Sequence, residues 1–176
     1  PYAGISPAQK LDIYLPETSN GPFPVIMAVH GGAFMVGDKG DVQVLPMLAG
    51  LKRGYAVATV YYGDIEPDHA EGWKDGVRGY YLRQRGKTEF APEDWGAIGA
   101  WAWGLSRAMD YLATDSDIDS KCVVVHGHSR LGKTALWAGA QDERFAIVIS
   151  NNSGEGGASL VRRRFGEAIH HSVSMV

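Results

Sequence analysis

The chain has one cysteine, Cys122, among 176 residues, so no disulfide can form within it. It has no excess of basic charge: the net charge is −3, and nucleic acid is not an expected partner. No apolar run is long enough to suggest a membrane span. Internal repeats and low-complexity tracts are absent, and no signal peptide is visible in the sequence. The chain opens on proline rather than methionine and reads as a trimmed or mature piece, so no compartment follows from it. What is present is a hydrophobic share of 45%, ample for the core of one globular domain.

The most informative stretch is Val123-Val124-Val125-His126-Gly127-His128-Ser129-Arg130-Leu131-Gly132-Lys133. A β-branched run reads as a buried strand, Gly127 permits a sharp turn, and residues 131–140 read as a helix start. A serine at the apex of a strand–turn–helix is the setting of a nucleophile elbow. There the hydroxyl stands above the sheet, beside a helix N-terminus that favours negative charge. The plainer reading is a turn serine that caps a helix. The usual spacing is Gly-x-Ser-x-Gly; here the second glycine comes one place late, at Gly132.

Other strands surround this stretch. Leu11-Asp12-Ile13-Tyr14-Leu15 alternates and stops at Pro16, as an edge strand does. Val25-Ile26-Met27-Ala28-Val29 is continuously apolar, as a strand covered on both faces is. Residues 55–62 and 145–149 give two more strands. Residues 44–53 predict a short helix. Residues 92–112 predict a longer one, opened by Pro92, Glu93 and Asp94 and striped with Trp95, Ile98, Ala102, Leu105, Met109 and Leu112. Trp95, Trp101 and Trp103 read as core and near-core residues rather than a sugar platform. Residues 63–93 are polar and read as a surface excursion with room for a short helix; their acids lack regular ligand spacing, so no metal is expected. Strands alternating with helices predict a three-layer α/β fold with a mostly parallel sheet.

His30-Gly31-Gly32-Ala33-Phe34 follows the apolar strand and resembles the His-Gly-Gly loop of lipases and esterases. By that resemblance the N–H groups of Gly32 and Ala33 would hold a developing oxyanion. Ser150 to Gly157 form a loop after the last strand, at the edge where open α/β sheets bind ligands. Arg162, Arg163 and Arg164 beyond it read as a solvated face or an anion site.

Residues 54–167 resemble a bacterial glucuronoyl esterase of carbohydrate esterase family 15. The resemblance is carried by Gly54-Tyr55-Ala56-Val57-Ala58-Thr59, by residues 95–112, and above all by Gly127-His128-Ser129-Arg130-Leu131-Gly132-Lys133. The family's elbow is Gly-x-Ser-Arg-x-Gly-Lys, which accounts for the displaced glycine. It implies an α/β-hydrolase fold, Ser129 as nucleophile, Arg130 as oxyanion stabiliser and Lys133 as a contact to sugar hydroxyls. It also implies a secreted or periplasmic setting and no metal or organic cofactor. Residues 1–53 resemble instead the carboxylesterase and feruloyl- or acetyl-esterase branch of the fold, so a joint near Arg53 and Gly54 is expected within a single domain of 1–176.

Two departures from the family pattern stand out. Many members carry a catalytic Glu directly before the Ser-Gly pair after the last strand; here that place is Asn152. An amide cannot steady an imidazolium as a carboxylate does. Glu155 lies three residues on and is the candidate acid, although some members take the acid from a later strand. The order in this fold is serine, acid, histidine. The resemblance places the family's histidine beyond Val176, and the chain is expected to be incomplete at that end. His170 and His171 alone follow Ser129, and His170 is the candidate base within the chain. His128 is too close to Ser129 to serve it as base but is placed to line the site.

The expected function is a serine hydrolase of carbohydrate esters linked to hemicellulose or lignin, with a small-molecule or polysaccharide ester as substrate. Acetyl xylan or feruloyl esters are the alternative substrates, and an incomplete hydrolase scaffold or a serine peptidase are the alternative classes. The oligomeric state is not legible.

Overall fold

The computed structural model describes residues 11–17, 20–30 and 45–159. Its strands form one five-stranded sheet in the order β1-β3-β2-β4-β5. These are β1 (Leu11–Tyr14), β2 (Phe23–His30), β3 (Ala56–Tyr61), β4 (Ile118–His128) and β5 (Phe145–Asn151). β1 is the antiparallel edge and pairs with β3, and every other pairing is parallel. Pro16 cuts β1 short at this edge, where the missing N–H does least harm. β2 and β3 sit in the middle, where Val25, Met27, Ala56, Val57, Ala58 and Val60 have no exposure.

Topology singles out one crevice. From β2 the chain moves to its neighbour β3 on one side. It then crosses to β4 on β2's other side and continues outward to β5. The direction of winding therefore reverses between β2 and β4, and the carboxyl ends of two such strands leave an open cleft. β2 delivers His30 there, and β4 delivers Ser129.

The helices are α1 (Leu45–Leu48), α2 (Val77–Gln84), α3 (Ala97–Leu112) and α4 (Arg130–Gln141). α3 lays Trp101, Leu105, Ala108, Met109 and Leu112 into the core, each exposed by 1% or less. Trp95 and Trp103 pack against that core, as the sequence leads one to expect.

Three expectations are corrected. The long helix begins at Ala97, not at Pro92. Asp94 accepts a hydrogen bond from the Ala91 N–H at 2.8 Å and returns its own N–H to the Ala91 carbonyl at 2.9 Å. The acid thus closes a turn of its own instead of opening the helix. The helix expected over 44–53 is split: α1 ends, Gly50 bonds back to Met47, and a 3-10 turn follows at Leu51–Arg53.

The excursion over 63–93 is a surface feature only in part: residues 69–71 and 83–89 are exposed, but other stretches turn inward. It holds 3-10 turns at Tyr62–Asp64 and Gly72–Lys74, then α2. Glu66 has no exposure, and Ile65, Val77, Arg78 and Leu82 are buried. Arg78 donates to Glu66 through Nε at 2.7 Å and through its backbone N–H at 3.2 Å, while the Glu66 carbonyl accepts from Trp101 Nε1 at 2.8 Å. A polar sequence folds inward here because its charges are matched to each other.

Candidate active site

The elbow forms where β4 ends and α4 begins. Ser129 sits between them at φ 57° and ψ −125°, a conformation that a side chain rarely adopts. Such a residue costs about 1–3 kcal/mol and persists only where its surroundings hold it. The Ser129 N–H donates to the Asn151 carbonyl at 2.9 Å, and its carbonyl accepts the Lys133 N–H at 3.2 Å. The serine is thereby tied to the end of β5 and to the first turn of α4.

The glycines have steric reasons. A Cβ on Gly127 would lie 2.0 Å from the Leu131 carbonyl oxygen. One on Gly132 would lie 2.8 Å from the Asn151 carbonyl oxygen. The turn is so tight that backbone fills the space of a side chain at both places. The late glycine therefore serves the close approach of α4 to β5, and Ser150 Oγ reinforces it by donating to the Gly132 carbonyl at 2.8 Å.

Around the elbow, Arg130 pairs with the carboxylate of Asp68. Lys133 is 8% exposed, so it is more deeply set than a residue open to solvent. His128 is exposed, and the Asn151 side-chain amide donates to its Nδ1 at 3.1 Å. The His30 ring, 4% exposed, stands 5.5 Å from that of Tyr61. Tyr62 is pushed up to about 12, first by burial and then by Tyr61 and Asp68, with Arg130 opposing.

The loop after β5 carries the departures from the expected pattern. Asn152 stands at φ 45°, a left-handed position that asparagine tolerates better than most residues. Glu155 is 5% exposed and pairs through an isolated bridge with Ser159. The structure thus gathers Ser129, Arg130, Lys133 and His128 at one sheet edge and puts Glu155 in the adjoining loop. Gly32, Ala33, His170 and the arginines at 162–164 lie outside the described residues. Among the described residues, no three His, Cys, Asp or Glu side chains are grouped to hold a metal. Asp68 was missed in the sequence; the available signal was its place shortly after β3, at the carboxyl edge of the sheet.

A winding reversal in a mostly parallel sheet, with a strained serine at the strand–helix junction beside it, is the arrangement of the α/β-hydrolases. The fungal glucuronyl esterase family matches residues 3–173, and the chain belongs to the glucuronoyl esterases. It is 58% identical over 121 residues to carbohydrate esterase MZ0003 from an unknown prokaryotic organism, which covers 68% of this chain and 27% of that protein. It is 32% identical over 150 residues to a 4-O-methyl-glucuronoyl methylesterase of Neurospora crassa, covering 84% of this chain and 33% of that one. Among solved structures, a glucuronoyl esterase from Solibacter usitatus superposes with a TM-score of 0.79 at 45% identity, over 89% of this chain and 46% of that chain. The chain therefore spans about a third or less of these curated relatives and less than half of that solved structure. The family match extends over both sides of Arg53 and Gly54, where β2 and β3 also pair in parallel, so residues 1–53 need no separate origin.

Proposed function

We propose that the chain carries the nucleophile half of a serine ester hydrolase acting on carbohydrate esters, with esters of 4-O-methyl-glucuronate as the leading substrate class. The observation that carries this reading is Ser129, held at φ 57° where β4 meets α4, beside the winding reversal. The relatives' names supply the substrate class.

Ser129 Oγ attacks the ester carbonyl, its proton passing to a histidine base. The tetrahedral oxyanion is met by the Arg130 guanidinium and by the N–H groups of Gly32 and Ala33. Collapse expels the alcohol, which takes the proton from the imidazolium and leaves a glucuronoyl-serine ester. Water then cleaves that ester by the same steps in reverse. His170 is the candidate base and Glu155 the candidate acid; Lys133 and His128 are the candidates for sugar hydroxyls. A single domain of 1–176 is part of this proposal.

A second reading, an esterase scaffold without a complete triad, is favoured by Asn152 at the place of the family's acid. The test is hydrolysis of a panel: a methyl 4-O-methyl-glucuronate, acetyl xylan, a feruloyl ester and a peptide. The expected result is turnover of the glucuronate ester above the others, reduced at least about 1,000-fold in Ser129→Ala. Turnover of the acetyl or feruloyl ester alone would redirect the substrate class. Absence of any turnover in a folded sample would favour the incomplete scaffold.

A further inference from the structure

The side chain that meets Arg130 comes from the segment whose polar sequence suggested a surface. Asp68 lies between β3 and α2, and its carboxylate forms an ion pair with the Arg130 guanidinium. Its side chain is 3% exposed, against 24% for Arg130. β3 and β4 lie on opposite sides of β2, two strand spacings or about 10 Å apart. The ion pair therefore joins segments that follow strands on either side of β2.

The anchor of this arm is deep. Glu66, two residues before Asp68, is held by Arg78 and, through its carbonyl, by Trp101 in the core. The Asp68 carboxylate is itself desolvated, and its Oδ1 has no hydrogen-bond partner among the described residues. A carboxylate kept from water in this way is committed to the guanidinium in front of it.

We propose that Asp68 is a positioning residue, which fixes the plane of the Arg130 guanidinium toward the reacting ester and offsets its charge against the carboxylate product. The proposal rests on the ester-hydrolase reading of Ser129. A guanidinium is a flat fork of donors, so holding its Nη1 on Asp68 Oδ2 limits the directions open to the rest. Donors fixed beforehand need no reorganisation as the oxyanion forms. Hydrolysis consumes water and releases an alcohol and a proton, leaving a uronate carboxylate. An arginine without a counter-charge would retain that anion, and the neighbouring Asp68 charge weakens its hold.

The test is a cycle of Asp68→Asn and Arg130→Lys in the full protein, with kcat, KM and inhibition by the free glucuronate product measured for each. In Asp68→Asn, kcat is expected to fall about 10- to 100-fold with a smaller change in KM, because the lost alignment acts on the transition state. The product should also inhibit several-fold more tightly, at roughly 3- to 10-fold lower concentration. On the Arg130→Lys background, Asp68→Asn should add little; a merely structural Asp68 would cost the same on both backgrounds. Unchanged kcat and product inhibition in a folded Asp68→Asn protein would overturn the proposal while leaving the esterase reading intact. If the unaltered protein hydrolyses no ester, that reading fails instead. Positioning is then read from hydrogen exchange of the Arg130 Nη1 hydrogens, which should be slow in the unaltered protein and fast in Asp68→Asn; equal exchange overturns it. Asp68→Glu keeps the charge, and should leave product inhibition at the weaker level of the unaltered protein, even if the first variant folds poorly; inhibition as tight as that expected of Asp68→Asn would overturn the charge offset.

Discussion

At the scale of single residues, the site is defined by conformations that cost energy. Ser129 is held at φ 57° by bonds to Asn151 and Lys133, so its backbone strain is part of the fold's free energy. Glycine adopts this conformation without strain. Ser129→Gly is therefore expected to be more stable than Ser129→Ala by about 1 kcal/mol in chemical denaturation. Both variants lose the hydroxyl, so the comparison reads the relief of strain less the greater chain entropy that glycine loses on folding. Gly127→Ala has the opposite sign. Its Cβ would lie 2.0 Å from the Leu131 oxygen, and a loss of about 1–3 kcal/mol or more is expected in the same measurement.

Among elements, the segment from 62 to 84 organises more of the molecule than its sequence suggests. Glu66 and Arg78, 0% and 8% exposed, join the end of β3 to α2. Breaking a buried pair by removing one partner leaves the other charge desolvated. Glu66→Gln and Arg78→Met are each expected to cost about 3–5 kcal/mol, readable as lowered denaturation midpoints. The double variant should cost less than the sum. In β4, His126 is held below the usual imidazole value, by burial first and by His128 second. The unfolded chain takes up a proton near pH 6.5 that the folded chain refuses until lower pH. Its contribution is therefore intact above that pH and declines as pH falls towards the folded value. His126→Gln should flatten the stability profile between about pH 7 and pH 5, measured by denaturant midpoints across that range.

On the scale of the whole molecule, the sheet was legible in the sequence because period and composition agree there. The continuous apolar run became β2, the strand read over 55–62 became β3, the alternating run became the edge β1, and the β-branched run became β4. The elbow was legible because a strand, a glycine and a serine must occur in that order to make it. What was not legible depended on partners distant in sequence. Asp68 and Arg130 are 62 positions apart, and Glu66 and Trp101 are 35 apart. Nothing local distinguishes their acids from those of a solvated loop. The start of α3 was misplaced for the reverse reason: Pro92, Glu93 and Asp94 have the local chemistry of a helix start, but Asp94 bonds Ala91. β5 forms where the sequence places a strand, and its Ile147 and Ile149 are 56% and 44% exposed.

An activated hydroxyl at Ser129 is central to the proposed chemistry, and covalent labelling tests it most directly. A fluorophosphonate probe applied to the folded protein, followed by peptide mass mapping, should place one adduct on Ser129. Heat-unfolded protein and Ser129→Ala should give none. Labelling spread over other serines, or none at Ser129 while the fold is intact, would contradict a poised nucleophile at this elbow.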